Sequence, residues 1–221
     1  MKKILCFLLV IILIVPAVGC LKAPRRIGEP YSKFYIEQEL EKRNGLTDVS
    51  WSPDNRYVAF TDQTAIDMLL ILYVWKVGEE LIKTDLKGNL TDISWSSDSR
   101  YFTVNEKGNG VGHTYIILAE GEEIVDSISN VADTIWSPNS DKLLASVESD
   151  VQISVPGKLE NPLDLVLYDL NTRKMTVLLE ANSDFYYLPK SWDKENLIEY
   201  EKKYFGSNKS ESLEYTIKGT K

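Results

Sequence analysis

The chain has 221 residues, 33 acidic against 25 basic side chains and a formal charge of −8. A surface this acidic repels phosphate backbones, which argues against nucleic acid as a partner. With two cysteines and one histidine, the sequence has neither a soft-ligand set for zinc nor a disulfide framework, and no cofactor motif is evident.

The first element is an export signal. Lys2 and Lys3 precede an unbroken apolar run from Ile4 to Val15, followed by Pro16 and small residues. The uncharged stretch contains Pro16 and Gly19 and meets Lys22 too early for a bilayer-spanning helix of about 20 apolar residues. It ends in "AVGC", which resembles the lipobox of bacterial lipoproteins, although Ala17 stands where such boxes usually carry Leu. The resemblance implies cleavage before Cys20 and acylation of that cysteine, with residues 1–19 removed. Two or three acyl chains, at about 0.8 kcal/mol per buried methylene, anchor durably where a single chain does not. Loss of Lys2 and Lys3 takes the formal charge from −8 to −10. Residues 20–32, with Lys22, Arg25, Arg26, Pro24 and Pro30, read as a lipidated tether. The expected location is the extracytoplasmic face of the cell membrane.

A single domain is expected over 33–221. "KFYIEQEL" admits a helix ending near Gly45 or an alternating edge strand, and the alternation favours the strand. Next comes "DVSWSPDNRYVAF", Asp48 to Phe60, which returns as "DISWSSDSRYFTV" at Asp92 to Val104 and more loosely as "DTIWSPNSDKLLA" at Asp133 to Ala145. Trp51, Trp95 and Trp136 are 44 and 41 residues apart, and a degenerate copy places Trp192 another 56 residues on. A period in the low forties is that of a four-stranded propeller blade. In each copy a short alternating strand such as "LTDVSW" meets a turn such as "SPDN", and the strand "RYVAFTD" returns. An apolar third strand ("LLILYVWKV", "HTYIILA", "DLVLYDL") and an outer strand ("EELIKTD", "EEIVDSI", "KMTVLLE") follow. The fourth copy holds three strands, around Trp192, at "NLIEYEKKY" and at "ESLEYTI". A strand from Lys33 to Leu40 is expected to complete it, because closing the ring removes two open sheet edges.

"WSPDNRYVAF" looks like the WSPDG-containing repeat of TolB-like, WD40-like propellers, which also builds the propeller domains of prolyl oligopeptidase and dipeptidyl peptidase proteins. The resemblance spans about Leu46 to Tyr200. It implies an all-β propeller of about four blades closed by the N-terminal strand. Those relatives usually have six or more blades, so an open or dimer-completed partial propeller is the alternative. The peptidases carry their catalytic triad in a separate α/β-hydrolase domain, and no G-x-S-x-G elbow occurs here. The chain is therefore expected not to be an enzyme.

The recurring Trp51, Trp95, Trp136 and Trp192 read as structural, each filling the wedge between adjacent sheets. Trp75 stands where relatives of the repeat often have Asp, and is a candidate surface contact. Asp48, Asp92 and Asp133 recur three residues before each tryptophan, where they would either bond backbone amides or converge on a divalent cation. "NEKGNGVGHT" carries three glycines and His113. The following strand and the lack of a Lys-Ser or Lys-Thr pair make it an inter-strand turn rather than a phosphate cradle, with His113 a candidate contact. The segment Val147 to Asp164 lengthens the third blade, and its alternating Val151, Ile153 and Val155 form a candidate binding loop. Together these features lead to the expectation of a membrane-anchored binding or scaffolding lipoprotein engaging a protein, peptide or envelope component, of unspecified oligomeric state. A ligand-sensing or enzyme-accessory lipoprotein is the alternative.

Overall fold

Period-two patterning dominates the chain, and antiparallel strands joined by tight turns are its consequence. The structure, a computed structural model, describes residues 30–63, 68–108, 112–120, 123–130, 134–150 and 161–217. Four sheets follow one another in chain order. The first contains β1 (Leu46–Trp51), β2 (Tyr57–Gln63), β3 (Leu70–Lys76) and β4 (Leu81–Gly88). The second contains β5 (Leu90–Trp95), β6 (Tyr101–Glu106), β7 (Gly112–Leu118) and β8 (Ile124–Asn130). The third contains β9 (Ile135–Trp136), β10 (Lys142–Glu148), β11 (Leu163–Asp169) and β12 (Lys174–Leu179). The last is three-stranded, with β13 (Phe185–Trp192), β14 (Leu197–Tyr204) and β15 (Ser210–Thr216). Within every sheet the strands pair antiparallel with their neighbours in sequence.

The sheets stack face to face through three apolar layers. Tyr57, Ala59, Leu72 and Val74 of the first meet Leu90, Ile93, Phe102 and Val104 of the second. Ile116 and Ile128 of the second meet Trp136, Leu143 and Tyr168 of the third. Leu144 and Leu165 of the third meet Tyr187, Ile198 and Tyr200 of the last. In the second, third and last sheets the repeat tryptophan lies on the face toward the preceding sheet, and Trp51 of the first lies toward the N-terminal segment. The indole N–H of Trp95 donates to the Ser50 carbonyl at 3.0 Å, and that of Trp136 to the Ser94 carbonyl at 3.1 Å. Trp192 faces the third sheet, but its buried indole N–H has no hydrogen-bond partner among the described residues. The first strand of the last sheet carries a register shift between Pro189 and Ser191, as β1 and β5 carry shifts between Leu46 and Asp48 and between Thr91 and Ser94.

The turn after each tryptophan is a second, polar joint. Ser52 Oγ donates to Asp54 at 2.7 Å and accepts from the Tyr57 amide at 3.0 Å. Ser96, Asp98 and Tyr101 repeat the arrangement at 2.8 and 3.0 Å. The fifth residue of the motif has positive φ in all four copies: Asn55, Ser99, Ser140 and Asn196, between 58° and 63°. Asn tolerates this region and Ser does so less readily. The two serines are instead held by bonds between sheets: Ser99 Oγ accepts from the Asp54 amide at 3.1 Å, and Ser140 Oγ from the Asp98 amide at 3.0 Å.

The N-terminal segment departs from expectation. Lys33–Glu41 is a helix, α1, not an edge strand. Ser32 caps it by accepting from the Tyr35 amide at 3.3 Å. Ile36 and Leu40, four residues apart, are buried together, whereas strand alternation would pair Ile36 with Phe34, which is 63% exposed. The helical period thus accounts for the buried positions better than the period of two. α1 covers the face of the first sheet that carries Val58, Phe60 and Trp75, where a preceding sheet would otherwise stack. It therefore completes no sheet, and no ladder among the described residues joins the first sheet to the last. The outward face of the last sheet is polar instead. Glu201 there pairs with Lys190 at 3.0 Å and Lys203 at 3.7 Å, and Ser191 donates to Glu199 at 2.8 Å. A polar outer face is what the terminal unit of a stacked array needs to stay soluble.

Candidate functional site

The antiparallel order assigns the connections to two ends. At one end lie the four tryptophan turns and the short β3–β4, β7–β8 and β11–β12 turns. The β2–β3, β6–β7, β10–β11 and β14–β15 connections and the crossovers between sheets lie at the other, here called the rim. The turn end is rigid and internally bonded. Desolvation opposes ionisation of Asp54, but bonds from the Arg56 amide, the Ser52 hydroxyl and the Arg56 guanidinium outweigh it and bring its carboxyl down to about 2. The same opposition lowers the carboxyls of Asp98, chiefly through Arg100, and Asp141, chiefly through Lys142 and Ser137.

Near the rim, the first strands of successive sheets run side by side and border an open cavity of about 380 Å³. Its lining residues are Asp48, Asp92, Ile93, Ser94, Thr103, Asn105 and Thr134. Two of the three recurring aspartates therefore meet at one place. Asp48 Oδ2 accepts the Ile93 amide at 3.0 Å, a bond from one sheet to the next. Asp92 adopts φ 57° beside a register shift between Thr91 and Ser94, and Lys107 Nζ lies 3.8 Å from its carboxylate. Asp133 lies outside the described residues. Among the described residues no three His, Cys, Asp or Glu side chains converge on one point. Asn105 accepts from the Thr114 hydroxyl at 2.6 Å, and Thr103 donates to the Ser94 carbonyl at 3.3 Å. Thr103 and Thr134 are buried, at 1% and 8% exposure.

The other candidates are dispersed. Trp75 is buried rather than a surface contact: its indole N–H donates to the Glu79 carbonyl at 2.9 Å, and Tyr31 and Tyr35 of the N-terminal segment pack on its ring. A tryptophan in place of a polar residue provides the apolar seat for α1. His113 is exposed on β7, 3.3 Å from the Ser129 hydroxyl, and does not line the cavity. Trp51 is partly buried under α1, with Lys33 Nζ 4.7 Å from its ring centroid. Cys20 and the trio Val151, Ile153 and Val155 lie outside the described residues. The ladder leading to that trio continues at the rim, with Glu148 opposite Leu163 and the Ser149 amide donating to the Pro162 carbonyl at 2.8 Å. Sequence reasoning missed Ser94, Thr103, Asn105 and Thr134. Their one signal was small polar residues at intervals in otherwise apolar strands.

No family model and no curated protein sequence matches the chain. Among solved structures, the β-propeller domain of the Trilobed protease from Pyrococcus furiosus, which has an open velcro topology, superposes with a TM-score of 0.58 at 18% identity, over 79% of this chain and 56% of that one. Acylaminoacyl peptidase from Pyrococcus horikoshii gives 0.55 at 18% identity over 77% and 31%. A prolyl endopeptidase gives 0.53 at 15% identity over 86% and 34%. The chain thus spans about half, or less, of the structures it resembles. At these identities the likeness is one of fold, and the fold is that of β-propeller blades.

Proposed function

We propose that the chain is a lipid-anchored, extracytoplasmic binding module of the TolB-like kind. Cys20 carries the lipid, the following residues tether the domain, and an open arc of four blades presents its rim to a protein, peptide or other envelope component. The module is not itself catalytic. The observation that carries this reading is the division of labour between the two ends. The turn end is consumed by its own hydrogen bonds, while the cavity and the longest connection, between β10 and β11, share the rim. Loops held on a rigid scaffold are where binding usually resides. The α1 seat and the polar face of the last sheet support an arc that stays open, because each stacking face at the ends already has its solution.

Two experiments test it. Labelling cells with an alkynyl fatty acid is expected to mark the wild-type protein and not Cys20→Ser; an unlabelled wild type contradicts the anchor. Affinity recovery from solubilised envelope is expected to fall when residues 151–160 are replaced by a two-residue turn, and undiminished recovery contradicts the role of the rim. The cavity also favours a second reading, a ligand-sensing accessory protein, which a ligand-dependent rise in melting temperature with no macromolecular partner would support.

A further inference from the structure

We infer that the rim cavity is a site for a primary ammonium group, supplied by a lysine side chain of a peptide or by a free alkylamine. The inference rests on the reading of the rim as the binding surface and adds what it recognises. Four features of the cavity define the chemistry. Its described polar lining residues are two aspartates, Asp48 and Asp92, three hydroxyl residues, Ser94, Thr103 and Thr134, and Asn105. Each carboxylate is only partly engaged. Asp48 gives one oxygen to the Ile93 amide, and Asp92 has the looser Lys107 pair at 3.8 Å, whose side chains are 64% (Lys107) and 51% (Asp92) exposed. Thr134 is buried, at 8% exposure, yet its hydroxyl has no hydrogen-bond partner among the described residues while it lines the cavity. The hydroxyl is open to the cavity rather than sealed, so it is available there to a ligand atom or a water. Finally, Ile93 is the apolar residue among the described lining residues.

An ammonium group brings three donors and no acceptor, which complements two carboxylates and a hydroxyl. The volume of about 380 Å³ lies in the range of small-ligand sites and admits an aminoalkyl chain. An anion is opposed by both carboxylates. A calcium ion wants six to eight oxygen ligands, and here one oxygen of Asp48 is already committed to a backbone amide. The negative charge of the whole chain draws cations toward the site.

The test uses the full chain in detergent micelles, followed by amide NMR during titration with Nα-acetyl-lysine amide, its norleucine counterpart, 1,5-diaminopentane and calcium chloride. The expected result is that the lysine amide, the diamine or both shift the amides of Ile93, Ser94, Thr103 and Asn105, and that the norleucine compound does not. A response to the lysine compound alone assigns the peptide source, and one to the diamine alone the free amine. Asp48→Asn and Asp92→Asn are each expected to weaken binding about tenfold through loss of a charged hydrogen bond, and Thr134→Val by less. The side-chain carbonyl that Asp48→Asn leaves in place can still accept the Ile93 amide, and an asparagine suits the positive φ at position 92, so both variants keep their melting temperature. No shift with either amine, equal shifts with norleucine, binding unchanged in both variants, or a preference for calcium overturns the inference. Envelope recovery with the wild type reads the broader proposal separately, because its failure leaves the amine titration intact.

Discussion

Ile36→Ala tests the role of α1 as the end cap of the blade stack. Ile36 is fully buried against the face formed by Val58, Phe60 and Trp75. The substitution removes three carbons, worth about 0.8 kcal/mol each in transfer alone. A helix fixed at Ser32 and by the Lys33–Asn55 bond at 2.6 Å cannot settle fully into the gap, so a cavity term is added. The expected loss is about 3 kcal/mol. For a domain of this size that lowers Tm by about 6 to 12 °C. Phe34→Ala, on the exposed side of the same helix, is the control and is expected to shift Tm by less than about 2 °C. Thermal melts followed by near-UV circular dichroism compare the two directly, since the ring environment of Trp75 reports on the helix seat. If Ile36→Ala melts with the wild type, or if both variants lose the same amount, α1 is not holding the first sheet and the capping argument fails.

Removing residues 30–41 altogether is expected to uncover an apolar sheet face and convert the protein into a self-associating species by light scattering; a stable monomer would contradict the cap. Trp95→Ala is expected to cost about 3 to 5 kcal/mol, as it empties a packed layer and removes the indole bond to the Ser50 carbonyl, and an unchanged melt would refute the wedge. Acid should loosen the turns. The folded carboxyls of Asp54, Asp98 and Asp141 titrate below their unfolded value of about 3.9, so their contribution is complete above that pH and is lost as pH falls through their lowered values, which for Asp54 is about 2. Asp54→Asn is expected to lower Tm at neutral pH and flatten its decline between about pH 4 and 2; an unaltered slope would show that the turn acids do not govern acid stability. Replacing residues 151–160 by a two-residue turn is expected to leave Tm nearly unchanged, because the ladder is already complete at Glu148 and Leu163; unfolding would contradict this.

The blades were legible because their signals are local and repeated. Alternation around Trp51, Trp95 and Trp136, with a tight turn after each, translates directly into the first two strands of each sheet. The three-stranded last blade was also readable from its own strands. What alternation misplaced was the segment 33–41, where a weak pattern with apolar residues at 34, 36 and 40 satisfies two periods. Only the tertiary seat offered by Val58, Phe60 and Trp75 decides between them. The same cause hid the role of Trp75, whose burial depends on a helix far upstream in the chain. Asp48 and Asp92 were singled out by recurrence, and their shared cavity follows from the stacking of equivalent strands. Thr134, Ser94, Thr103 and Asn105 carry no motif and become visible only when three sheets bring them together.

The central claim, that the rim is the working surface of a membrane-anchored module, is tested most directly by site-specific photo-crosslinking in cells. A photoreactive residue is placed in turn at Lys107, beside the cavity, and at Ser212, on the polar outward face of the last sheet. The account predicts an adduct from position 107 that disappears with Asp48→Asn and Asp92→Asn combined, and none from position 212. Adducts from position 212 alone would contradict it.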